Sequence, residues 1–232
     1  MVIGDNNMKN TKSLKLSLII NIINFVFITF ATISMYTGFN FMTDVNDLSL
    51  EGYSAFQFFT VDSNLLLGFV IIIFVIYEIL LLSSKINEIP KWVYIIKHVG
   101  TVGVTLTMLV TVFFLGFIAS SGYFSLFTNA NLFYHLLSPL LSLVCFILLE
   151  NTNKIKFNDC LFGMLPLILY SCYYISNVLT HMENGKVSTF YDFYYFAQGG
   201  IISIIISTIV VFSITFGICY LTYYFNRKLY KE

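Results

Sequence analysis

Long apolar runs separated by short polar connections occupy almost the entire chain. Six of them, Leu14 to Tyr36, Phe56 to Leu82, Trp92 to Ile118, Leu132 to Leu149, Leu161 to Leu179 and Gly200 to Phe225, approach or exceed the roughly 20 mostly apolar residues that a helix needs to cross a bilayer. Hydrocarbon cannot hydrogen-bond a backbone, so such runs must satisfy their own amides as helices. The pattern predicts an all-α membrane protein, a bundle of six transmembrane helices forming a single integral membrane domain over residues 1–232. Little chain remains for a separate soluble unit.

Composition agrees with this class. The 232 residues are 58% hydrophobic and 18% aromatic but only 10% charged, outside the range of ordinary soluble domains. The first run follows lysines, as a signal peptide would, yet it is longer than a typical apolar signal core and lacks an A-x-A site, so it reads as a retained span. Cys145, Cys160, Cys172 and Cys219 show no C-x-x-C pair, and none falls in an outer connection. Disulfides and a structural zinc are therefore not expected, and nothing calls for a metal or organic cofactor.

Charge placement sets the expected orientation. Lys9, Lys12 and Lys15 precede the first span; Lys85, Lys91 and Lys97 flank the second connection; Lys154 and Lys156 lie in the fourth; Arg227, Lys228 and Lys231 close the chain. Eleven of the twelve basic residues thus fall on one side, leaving only Lys186 opposite. Juxtamembrane positive charge stays in the cytoplasm, so both termini are expected there, in a multipass protein of the cell membrane. Asp44, Asp47, Glu51, Glu183 and Asp192 make the other face acidic, and zero net charge offers nothing to nucleic acid. The expected surroundings are the lipid bilayer. No protein partner is indicated.

Within the spans, polar side chains are costly and need partners or a task. Thr60 and Asn64 share a face of the second helix, and Glu78 returns to that face ~27 Å lower at 1.5 Å per residue. Glu78 then stands near the level of Lys97 and His98, so an ion pair or hydrogen bond with one of them is expected, with a proton relay through Glu78 and His98 as the alternative. Asn21 and Asn24, and the threonine pairs Thr101/Thr105 and Thr107/Thr111, read as interhelical hydrogen bonding. Gly100 and Gly103 read as points of close helix approach.

His135 differs because Pro139, four residues on, lacks the N–H that its carbonyl would normally receive. The fourth helix should kink there, and the kink with His135 and Ser138 in one turn suggests a polar pocket near the outer leaflet. Pro166 frees the Phe162 carbonyl in the same way, without a titratable companion. His181 and the aromatic run Tyr191, Phe193, Tyr194 and Tyr195 form a further outer cluster. It reads as an interfacial anchor, a lipid gate being the alternative.

Three motifs occur in order: F-F-T-V-D-S-N-L-L at Phe58 to Leu66, H-L-L-S-P at His135 to Pro139, and L-P-L-I-L-Y at Leu165 to Tyr170. Together with six spans, they resemble the bacterial relatives of the androgen-induced and androgen-dependent multipass membrane proteins, whose characterised animal members are threonine hydrolases of fatty-acid esters of hydroxy fatty acids. The resemblance implies a lipid-ester hydrolase acting on fatty-acyl esters, with Thr60 as nucleophile and His135 as the essential histidine. Ser188 to Phe193 departs from the Tyr-Pro-rich segment that bacterial relatives often carry there.

That chemistry is coherent, since neutral histidine can take a proton from an alcohol near neutral pH and return it to a leaving alkoxide. Asn64, Asp62, Ser138 and His181 are the supporting candidates: Asn64 as an oxyanion donor, Asp62 as an orienting acid, Ser138 as pocket lining, and His181 as an alternative base. A transporter or lipid-binding protein, with the same polar residues lining a pathway, is the other reading. Depth is the test, because counting from the inner ends at Leu82 and Leu149 leaves Thr60 and His135 mismatched by ~12 Å.

Overall fold

The computed structural model describes residues 3–44, 51–119 and 121–230, with side chains from Thr11 onward apart from Ile118; Asp47 and Lys231 lie outside the described residues. Six helices long and apolar enough to cross a membrane follow one another: α1 (Ile3–Thr37), α2 (Phe59–Leu82), α3 (Lys91–Leu115), α4 (Asn129–Leu148), α5 (Phe157–Thr180) and α6 (Gly200–Leu229). The six predicted runs each correspond to one of these helices. Several helices run past their apolar stretch: α4 starts three residues early, at Asn129, and α5 starts at Phe157. In contrast α2 starts at Phe59, because Gly52–Gln57 form a separate 3-10 turn.

Side chains are arranged inside out. Along α1, Ser17, Asn21, Asn24, Ile28, Ala31 and Met35 form one buried stripe at alternating four- and three-residue steps, while Leu16, Ile19, Ile23, Val26 and Ile33 on the outer faces are exposed. In lipid, outward hydrocarbon carries no penalty, so polar groups collect within, where they can bond one another.

Helix α3 is the central column. Its apolar window is 61% buried, against 17% for α6, and it packs on α2, α4, α5 and α6. Glycines make the α2 contact close: a Cβ on Gly100 would stand 3.3 Å from the Leu67 Cα, and one on Gly103 would stand 3.2 Å from the Ser63 Cβ.

Cross-links identify the two ends of the bundle. At the end where α1 begins and α6 finishes, Ser13 Oγ donates to the Leu149 carbonyl (3.2 Å), Asn226 Oδ1 accepts from Thr152 N (3.0 Å), and Lys154 pairs with Glu88 (2.9 Å) across two connections. Lys91 pairs there with Asp159 (2.7 Å). Lys97 does not join this solvated rim, for its side chain is fully buried between helices. At the far end, Asn129 Oδ1 accepts from the backbone of Phe41 and Met42 at 3.0 and 2.8 Å, tying the first connection to the start of α4.

Candidate functional site

Thr60 lies in the first turn of α2, half-buried. The start of that helix is capped by aromatic side chains of the far end: the Tyr194 hydroxyl accepts from Phe59 N (2.9 Å), and the Tyr170 hydroxyl donates to the Gln57 carbonyl (2.5 Å). The Tyr194 contact satisfies an N–H that a helix start leaves open, and the Tyr170 contact holds the end of the preceding turn. The Thr60 carbonyl accepts from Ser63 Oγ (3.1 Å) and Asn64 Nδ2 (2.9 Å). Its hydroxyl makes no hydrogen bond among the described residues.

His135 sits in a π-helical turn, Phe133–Leu137, directly before Ser138 and Pro139. The wide turn is how α4 accommodates the proline. Ser138 N bonds back five residues to the Phe133 carbonyl, and Pro139, next in line for the Tyr134 carbonyl, has no N–H to give. The Tyr134 carbonyl is thereby freed, and Asn64 Nδ2 takes it at 3.2 Å. A second π turn, Thr111–Leu115, faces this one from α3, and the Thr111 hydroxyl lies 2.8 Å from His135 Nδ1. The imidazole is only 4% exposed.

The depth problem is thus resolved. One amide of Asn64 touches the carbonyls of both Thr60 and Tyr134, so the first turn of α2 and the His135 turn are level. Near the terminal end, Asn21 likewise reaches both Glu78 (3.3 Å) and Glu150 (2.7 Å). From the upper to the lower of these levels is eighteen residues in α2, Thr60 to Glu78, and sixteen from Tyr134 to Glu150, ~27 and ~24 Å at 1.5 Å per residue. Counting from Leu82 and Leu149 misleads because α2 continues past the level at which α4 ends. Thr60 and His135 share a level without a hydrogen bond between them.

The supporting candidates separate. Asn64 spends its amide hydrogens on two carbonyls, so it clamps α2 to α4 and does not point a donor at an oxyanion; its Oδ1 is buried without a partner. Ser138 is tied to α1 by a reciprocal pair, its hydroxyl donating to Asn24 Oδ1 (2.5 Å) and its carbonyl accepting from Asn24 Nδ2 (3.1 Å). Asp62 is exposed in the first turn of α2, where a carboxylate suits the helix dipole. His181 is exposed at the end of α5, stacked on Tyr191 with ring centroids 3.6 Å apart, its Nδ1 2.8 Å from the Asn177 carbonyl. The group that orients the His135 ring is Thr111, and its four-residue spacing from Thr107 carried no sign of that role.

Deeper toward the terminal end lies a second polar cluster. Lys97 forms an ion pair with Glu150 (3.3 Å) and donates to Asn21 Oδ1, while Asn21 Nδ2 bonds both carboxylates. Ser17 Oγ and Cys145 Sγ donate to Glu150 Oε1 at 3.1 and 3.2 Å. The expected Glu78 partner is therefore corrected: Lys97 pairs with Glu150, and His98 Nε2 faces Thr222 Oγ1 (2.8 Å) on α6. Glu150, one residue past the last apolar position of its run, was not anticipated. Compared with family models, curated proteins and solved structures, the chain finds no match.

Proposed function

We propose that this chain is a membrane lipid-ester hydrolase, with both termini in the cytoplasm and its site beneath the outer surface of the cell membrane. The observation that carries the reading is the Asn64 clamp, which levels the Thr60 turn with a histidine whose Nδ1 is already engaged by Thr111. With the ring proton on Nδ1, donated to Thr111 Oγ1, His135 Nε2 presents a lone pair to an incoming hydroxyl.

The chemistry balances in two halves. His135 Nε2 takes the proton of Thr60 Oγ1 as that oxygen attacks the ester carbonyl; the carbon–oxygen bond to the alcohol then breaks, and the imidazolium returns the proton to the departing alkoxide. Water, deprotonated by the same nitrogen, attacks the acyl-threonine. Collapse releases the fatty acid and restores the Thr60 hydroxyl. Direct transfer requires ~2.6 to 3.2 Å between the two groups, a contact the mechanism demands of the substrate complex.

The test is labelling of purified protein with a lipophilic serine-hydrolase probe. An acyl or phosphonyl adduct at Thr60, lost in Thr60→Ala and His135→Ala, is the expected result. Labelling that survives both substitutions removes the mechanism. A second reading, a pathway lined by Thr60, Asn64, His135 and Glu78, is favoured by the buried polar groups that continue below the site. Solute flux in proteoliposomes without ester turnover would select it.

A further inference from the structure

The Lys97 cluster is set apart from the Thr60 turn by ~24 to 27 Å along the helices, and no step of ester hydrolysis uses it. Four helices contribute: Asn21 from α1, Glu78 from α2, Lys97 from α3, and Glu150 at the end of α4. Glu78 and Lys97 are 0% exposed and Glu150 is 4% exposed. Around Glu78, α1 presents Ser17 and Asn21, α3 presents Lys97 and Tyr94, and α4 presents Cys145 and Glu150.

Counting charge in this cluster leaves a remainder. One ammonium faces two carboxylates, and the geometry spends it on Glu150 at 3.3 Å, while Glu78 has no ion pair within 4.0 Å among the described residues. Among the described residues Glu78 accepts a 3.3 Å contact from Asn21, and the Ser17 hydroxyl also bears on its carboxylate. Each carboxylate also keeps one buried oxygen without a partner, Oε1 of Glu78 and Oε2 of Glu150. A dry interior does not retain an uncompensated charge, and buried polar atoms do not stay unbonded without cause. The cluster is one positive charge short, and one oxygen of each carboxylate is buried and unpaired among the described residues.

We infer that Glu78 and Glu150 together hold one exchangeable proton, making this cluster an intramembrane proton-binding site. Lys97 and Asn21 are its positioning residues. Lys97 fixes one carboxylate as the permanent anion, and Asn21 joins the two, so the proton belongs to the pair and not to either residue alone. The nearby lysine disfavours a metal cation in the same place.

Difference infrared spectroscopy of the detergent-solubilised full chain across a pH jump tests this without any ester substrate, so it stands or falls independently of the hydrolase reading. One carboxylic-acid carbonyl band, shifted in heavy water, is expected in the wild type. Glu78→Gln should abolish it. Glu150→Gln should abolish it too, because Lys97 then compensates the single remaining carboxylate. Lys97→Met should instead add a second band. A wild type without a deuterium-sensitive band would overturn the inference, as would a band that persists in Glu78→Gln. Thermal stability that rises with sodium at fixed pH would also overturn it and mark a metal-cation site.

Discussion

The Thr111 hydroxyl stands 2.8 Å from His135 Nδ1, joining two π-helical turns on neighbouring helices. Such turns widen a helix locally and recur at functional sites. Here they let a threonine, not the Asp62 carboxylate, set the orientation of the imidazole.

Removing that orienting contact should slow chemistry more than binding. Thr111→Val is expected to lower the rate of probe labelling at Thr60 by on the order of tenfold or more, since general-base catalysis depends on alignment of the accepting nitrogen. Thr111→Ser should recover most of the rate. Equal rates in Val and wild type would deny Thr111 its role.

Asn64→Leu should destabilise the bundle itself. It abandons the Tyr134 carbonyl in a buried setting that Pro139 cannot satisfy, at a cost of about 1–3 kcal/mol. Thermal unfolding in detergent measures this, and the loss should appear whether or not any ester is hydrolysed.

Gly100→Ala is a test of helix approach. The added methyl would meet Leu67 Cδ1 at 3.2 Å and Leu67 Cα at 3.3 Å. The backbone atom cannot swing away, so about 1–3 kcal/mol of overpacking strain follows. A melting temperature equal to wild type would show that α2 and α3 separate more freely than their packing indicates.

Tyr194, in the connection before α6, gives a prediction in alkaline pH. Burial pushes its phenol up to about 12, against ~10 for an unfolded tyrosine. The folded value is the higher one, so the stabilisation is fully present below pH ~10 and is lost as pH rises through about 12. Tyr194→Phe removes this dependence and the Phe59 N contact. Its melting curve should therefore start lower than wild type and fall less steeply over that window.

The six helices follow from hydropathy because lipid punishes every alternative, but the depth of each side chain does not. Leu82 and Leu149 look equivalent as ends of apolar runs, whereas Glu78 and Glu150 are the residues that share a level. Glu150 resembles a loop anion in sequence; only the way α4 ends turns it inward to Lys97. The proline at 139 pointed to the His135 carbonyl as the freed group, whereas Asn64 receives the carbonyl of Tyr134, one residue earlier. That the freed group is the Tyr134 carbonyl, and that Asn64 receives it, depends on the π turn, which has no residue signature of its own.

The polar stripe of α1 bears on biogenesis. An isolated α1 would hold Asn21 and Asn24 against acyl chains; apart from the 3.3 Å contact of Asn21 with Ser17 in the same helix, the amides find their partners on helices made later, Glu78 on α2, Lys97 on α3, and Ser138 on α4. Newly made α1 is thus a poor lodger in free lipid, and its settled position depends on synthesis reaching at least the fourth helix.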